Sequence, residues 1–137
     1  MEQISLFFNM ESLEVARLYL FGNVKWLDLL IVLMFVDVIT GVLKAWKDKD
    51  LRSRNAMFGY ARKIAIFGII IVANIVDRIL DLNGMVATAT VLFYMANEIL
   101  SITENAAKLG LKVPPVIQEK LRGFDKQGPL KNENGDE

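Results

Sequence analysis

The run from Trp26 to Trp46, WLDLLIVLMFVDVITGVLKAW, constrains this chain more than any other stretch. Coiled as an α-helix at ~1.5 Å per residue it is about 30 Å long, the thickness of the hydrocarbon layer of a bilayer. A tryptophan stands at each end, and such amphipathic rings favour the headgroup level. The spacing therefore predicts a membrane-spanning helix over residues 26–46 with Trp26 and Trp46 as interface anchors. Asp37 lies near its midpoint. A carboxylate there costs roughly 3 kcal/mol on insertion scales, so it must face protein or water rather than lipid.

Composition narrows the chemistry. Of 137 residues, 53% are hydrophobic, above the ~45–50% of average soluble chains, and they are gathered into runs. The 16 basic and 16 acidic residues cancel, which leaves no global field to attract nucleic acid. There is no Cys and no His. Thiolate nucleophiles, disulfides, the usual zinc sites and imidazole acid–base catalysis are thereby excluded. We expect no enzyme, no catalytic residue, no cofactor and no metal site. The opening MEQISLFFNMESLEVARLY has no basic leader followed by an apolar core and a small-residue cleavage site, so it does not read as a signal peptide.

Along the chain, residues 1–25 mix apolar side chains with Glu11, Glu14 and Arg17 and read as an interfacial amphipathic helix. The span over 26–46 follows, then a basic loop over 47–60. The second apolar run, Ile64 to Val76, covers only about 20 Å, so a spanning helix over 61–80 needs Lys63 and Asp77 to reach outward or the bilayer to thin. A turn at Asp81-Leu82-Asn83-Gly84 leads into a third span and its extension over 85–109, with Gly110 as a C-terminal cap. Residues 114–123 read as a short amphipathic helix opened by Pro114-Pro115. Residues 124–137 are expected to form a disordered polar tail. The fold class is thus all-α integral membrane, with three transmembrane helices between an interfacial helix and a short amphipathic one.

Basic residues are shared unevenly among the connections. Lys44, Lys47, Lys49, Arg52, Arg54, Arg62 and Lys63 flank the first, and Arg78 alone serves the second. The positive-inside rule then places the first loop and the C-terminus in the cytoplasm and the N-terminus outside.

Stepping the third span at 100° per residue puts Thr90, Tyr94, Asn97, Glu98, Ser101 and Asn105 within an arc of about 100°. Leu92, Met95, Ala96, Ile99 and Leu100 take the other side. On the first span Asp37, Thr40, Gly41, Lys44 and Asp48 fall within a comparable arc. On the second, Ala61, Ala65 and Gly68 form a small-residue seam suited to helix packing, nearly opposite Lys63, Asn74, Asp77 and Asp81. Polar faces of spanning helices cannot face lipid. Either they pair inside one bundle, or copies of the chain associate with those faces lining a watery opening. The number of polar groups favours the second reading, with Asp37, Thr40, Gly41, Lys44, Thr90, Tyr94, Asn97, Glu98, Ser101 and Asn105 as pore or oligomer contacts.

These residues resemble a known pattern. Asp37-Val-Ile-Thr-Gly41 with Lys44-Ala45, Ser53, Gly59 to Lys63, the segment FYMANEILSITEN from Phe93 to Asn105, Leu109-Gly110 and Val113-Pro114 together are similar to the small holin family of phage lysis and toxin secretion. The resemblance spans most of Trp26 to Leu121. It implies a multi-pass protein of the bacterial host's cytoplasmic membrane that forms homo-oligomers in the lipid bilayer and opens lesions. Through these a wall-degrading endolysin is released, without a required direct contact, or a toxin is exported; no nucleic acid is involved. Two other classes fit the residues taken alone. One is a small ion-channel or transporter subunit relaying protons or cations through Asp37 and Glu98, and the other is an antiholin or membrane scaffold that sequesters a partner.

Overall fold

A computed structural model describes residues 1–22, 24–49 and 53–125, with backbone alone for residues 7–8, 53–55 and 121–125. Five helices follow in chain order: α1 (Glu2–Phe21), α2 (Leu27–Lys47), α3 (Ser53–Leu80), α4 (Met85–Lys108) and α5 (Pro115–Asp125). No strand occurs among the described residues. At ~1.5 Å per residue, α2 is about 31 Å long and α4 about 36 Å.

Two helices, α2 and α4, are long and apolar enough to cross a membrane. The expectation of three is met at two. In α3 the apolar run Ile64–Val76 is bounded by Arg62-Lys63 and by Asp77-Arg78. Helix α3 also begins earlier than expected: Ser53 is already helical, where a loop through residue 60 was anticipated. Ala56, Met57, Ala61, Arg62 and Lys63 are strong helix formers, and one glycine, Gly59, does not stop them. The expected disordered tail lies outside the described residues from 126 onward; Phe124 and Asp125 belong to α5.

The helix ends are set by local chemistry. After α3 the Leu82 N–H reaches back to the Asp77 carbonyl at 2.9 Å, with Asp81 at φ 56°. This closes the left-handed turn that follows many helices, and aspartate tolerates it better than most residues. After α4 the Leu111 N–H bonds to the Ala106 carbonyl at 2.9 Å, and Gly110 takes φ 84°. Gly110 is therefore the cap that the sequence anticipates. Trp26 has φ 63° at the entry to α2. A left-handed conformation at so bulky a residue costs about 1 kcal/mol.

The chain divides into two compact units, one of Met1–Leu30 with Arg52–Tyr94 and one of Ile31–Leu51 with Met95–Glu137. In the first, Leu30, Ile66, Ile70, Ala73, Ala87 and Val91 are buried, and Phe21 meets Phe67 edge-on with ring centroids 6.4 Å apart. In the second, the buried side chains are fewer and half are polar: Met34, Ala96, Glu98 and Asn105. Large apolar side chains instead cover the outside, among them Ile31, Val32, Phe35 and Ile39 on α2 and Ile64, Ile69, Val72 and Ile75 on α3.

Candidate functional site

In the second unit a polar knot joins α2 to α4. The Asn105 amide nitrogen donates to Asp37 Oδ1 and to Thr40 Oγ1, each at 3.1 Å, while the Thr40 hydroxyl donates to the Asp37 carbonyl at 3.1 Å. One amide thus satisfies a carboxylate and a hydroxyl at once, which a buried amide requires. Gly41 sits beside this knot. A Cβ there would lie 3.7 Å from Asn105 Nδ2, an ordinary contact, so alanine would fit. Glu98, only 6% exposed, is buried in the same unit. Nearer the helix ends, Lys47 Nζ donates to the Lys108 carbonyl at 2.9 Å, placing a cation on the negative end of α4. The Lys44 and Lys108 ammonium groups are close enough to repel, with Asp48 and Glu104 as nearby counter-charges.

In the first unit three residues on one face of α3 hold two other helices. Asn74 Nδ2 donates to the carbonyls of Leu20 at 2.9 Å and Tyr19 at 3.4 Å. Arg78 donates to the carbonyls of Tyr19 at 2.6 Å and Leu18 at 3.2 Å, and its guanidinium lies 5.1 Å from the centre of the Tyr19 ring. Between them they satisfy the carbonyls that end α1. Asp77, only 3% exposed, accepts from the N–H groups of Val86 and Ala87, both at 2.8 Å. Its carboxylate thereby caps the positive end of α4. Gly22, at φ 60°, lets the chain leave α1 against Asn74, whose Oδ1 a Cβ at this position would strike. A cleft of about 300 Å³ runs between Leu18, Gly22 and the Asn74–Asp81 face. Among the described residues no buried side-chain nitrogen or oxygen lacks a partner.

The predicted residues are thus brought together selectively. Asp37, Thr40, Gly41 and Asn105 meet, and Lys44 lies by Lys108. Thr90 turns back on its own helix, its hydroxyl donating to the Val86 carbonyl at 2.7 Å. Tyr94 is half-buried against the Phe93 ring, and Ser101 is half-buried. Asn97 is exposed. Asn97 and Glu98 form opposite edges of the predicted arc, about 100° apart, and the buried Ala87, Val91 and Asn105 lie on the Glu98 side. Ala96, on the side opposite the polar arc, is buried. The seam of Ala61, Ala65 and Gly68 faces outward, with nothing within 4 Å of a Cβ built at Gly68. Trp26 and Trp46 are exposed at the two ends of α2. Sequence reasoning missed the capping role of Asp77 and the clamp of Asn74 and Arg78. The available signal was an acidic residue one turn before the Asp81–Gly84 turn, within reach of the next helix start.

Among the described residues the protein is all-helical, with two helices of membrane-crossing length, large apolar side chains outside, four polar side chains buried beside eight apolar ones, and no metal cluster; the chain holds no histidine and no thiol. Comparison with known proteins places it further. The model of the bacteriophage holin family matches residues 15–126. A probable holin of Bacillus phage phi105 is 55% identical over 132 residues, covering 96% of this chain and 98% of its own. An uncharacterized protein of Bacillus subtilis (strain 168), YqxH, is 54% identical over 136 residues, 99% of this chain and 97% of its own. An uncharacterized protein of Clostridium perfringens (strain 13 / Type A) is 38% identical over 104 residues, 74% of this chain and 76% of its own. No solved structure matches. The chain belongs to the bacteriophage holin family. That family forms pores in the cytoplasmic membrane and is not enzymatic.

Proposed function

We propose that this holin oligomerises in the host's cytoplasmic membrane and, at lysis, opens lesions through which an endolysin reaches the cell wall without binding the holin directly. The observation that supports this reading most is the knot of Asp37, Thr40 and Asn105 between two helices whose other faces are apolar. A carboxylate and an amide on helices of this kind cost insertion energy that leucines would not. Their presence fits a chain that exists in two arrangements, one with the polar groups paired internally and one with them facing water. The same bonds that quiet Asp37 in the single chain are available to be exchanged for bonds to water or to a second copy. The exposed seam of Ala61, Ala65 and Gly68 admits a close helix from that second copy.

In this reading α3 crosses the membrane as well. Helices α2 and α4 each end in lysines, Lys44 and Lys47 on one and Lys108 on the other, and the positive-inside rule puts both ends in the cytoplasm. The chain must then return between them, and α3 is the segment that does so, leaving the N-terminus outside. Helix α1 lies at the outer interface.

The test is expression in a bacterial host with a potential-sensitive dye and a co-expressed endolysin that has no export signal. Abrupt collapse of the potential followed by lysis supports the reading. Membranes that stay polarised at high protein level contradict it, and a selective conductance without endolysin passage assigns the chain to the ion-channel class instead.

A further inference from the structure

Helix α5 is the part of the molecule that neither the polar knot nor the clamp uses. The chain leaves α4 at Lys108 and starts α5 at Pro115. The linker over 109–114 can extend about 20 Å at most, so α5 is tethered within reach of whatever surface α4 emerges from. Leu111 in the linker is 62% accessible, and in α5 Val116 is 65% and Ile117 40% accessible. At 100° per residue Val116, Lys120 and Ile117 share an arc of about 100°, so a lysine rises from the same side as the two apolar side chains. Lys112 precedes them, and the cluster of Lys47, Lys44 and Lys108 lies at the α2 and α4 ends of the same unit. Across residues 44–49 and 104–120 the basic residues are Lys44, Lys47, Lys49, Lys108, Lys112 and Lys120, against Asp48, Glu104 and Glu119.

We propose that residues 109–120 bind the surface of an acidic phospholipid bilayer, with Leu111, Val116 and Ile117 entering the headgroup boundary and Lys112 and Lys120 on its phosphates. An apolar arc alone would enter any lipid surface, and lysines alone would hold to any polyanion. Val116, Ile117 and Lys120 on one arc of α5, with Leu111 and Lys112 adjacent in the linker before it, fit a membrane that is both apolar below and anionic above. Lys47, whose Nζ sits on the Lys108 carbonyl at the end of α4, adds a further cation in the same unit. The α5 segment thereby becomes a lipid-dependent latch on the cytoplasmic side, and its grip falls as anionic lipid is depleted or ionic strength rises.

The inference rests on the membrane placement of α4 proposed above, and the experiment separates the two. The chain has no cysteine, so Ile117→Cys in the full-length protein carries a single environment-sensitive fluorophore. The labelled protein is reconstituted in neutral phosphatidylcholine vesicles and in vesicles containing phosphatidylglycerol. A blue shift confined to the phosphatidylglycerol vesicles, lost in high salt and weakened about fivefold by each of Lys112→Gln and Lys120→Gln, is the result expected. An equal shift in both vesicles, or in detergent alone, overturns the proposal in favour of a purely apolar or protein contact. Protein that floats with the vesicles while its label stays in water overturns it too. Protein that floats with neither vesicle overturns the membrane placement on which it stands.

Discussion

Asp37 is the residue where insertion energetics and structure meet. Its carboxylate and the Thr40 hydroxyl each accept from the Asn105 amide, so removing the carboxylate leaves that amide with one acceptor, Thr40, for its two N–H groups. Asp37→Leu should still insert as well as the wild type or better, because the roughly 3 kcal/mol less opposing insertion offsets the about 1–3 kcal/mol of one unpaired amide N–H. Oligomer distribution by crosslinking and the time of lysis should change. If only protein yield moves, the knot is a packing device and nothing more. Asp77 behaves oppositely, because Asp77→Ala leaves the Val86 and Ala87 N–H groups without their acceptor in a buried site. A loss of about 1–2 kcal/mol is expected in denaturant unfolding of the detergent-solubilised protein, with Asp77→Asn intermediate because it keeps one acceptor oxygen. An unchanged midpoint for the alanine variant would contradict the capping role. Asp37 was visible in the sequence because a carboxylate in an apolar run is costly wherever the run lies. Its pairing with Asn105 was not, since 68 residues separate the two and helical stepping orders residues around one axis without saying which neighbour each face meets.

At the scale of elements, the clamp of Asn74 and Arg78 ties the end of α1 to α3 beside the edge-on contact of Phe21 with Phe67. Most of α1 is exposed, including Ile4, Leu6, Met10, Leu13 and Val15, so its attachment is confined to its last turns, through the carbonyls of Leu18, Tyr19 and Leu20 and the Phe21 ring. The double variant Asn74→Ala, Arg78→Ala should raise amide exchange in the last two turns of α1 while leaving the middle of α3 protected, and equal exchange before and after would show that α1 is held elsewhere. Apolar runs located the helices well: α2 spans 27–47 against an expected 26–46, and α4 spans 85–108 against 85–109. The start of α3 was missed because charge density was read as a loop, whereas arginine and lysine are compatible with a helix and say only that it is wet. The outward face of Ala61, Ala65 and Gly68 has the same lesson. Small residues at helical spacing record that a close approach is possible, and the partner that uses it need not belong to the same chain.

Among its described residues the whole molecule buries polar side chains beside an apolar core and leaves many large apolar side chains outside. Asn74, Asp77, Glu98 and Asn105 are buried, while Phe35, Ile64 and Ile79 are 66%, 71% and 74% exposed. In water such a surface would aggregate, because monomeric soluble proteins rarely expose apolar patches of this extent. In a bilayer it is simply the lipid-facing surface. The number of crossings follows from which ends share a compartment. Single cysteines introduced as Lys49→Cys and Leu82→Cys are expected to react with a membrane-impermeant thiol reagent from opposite sides, Lys49→Cys from the cytoplasm and Leu82→Cys from outside. Labelling of both from one side would show that α3 does not cross. The central claim, that this holin opens the membrane to a folded enzyme, is tested most directly in cells expressing it with an endolysin that has no export signal. Loss of membrane potential followed within the same culture by endolysin-dependent lysis is the outcome the account predicts. Full accumulation of the protein in a membrane that keeps its potential and holds the endolysin inside would contradict it.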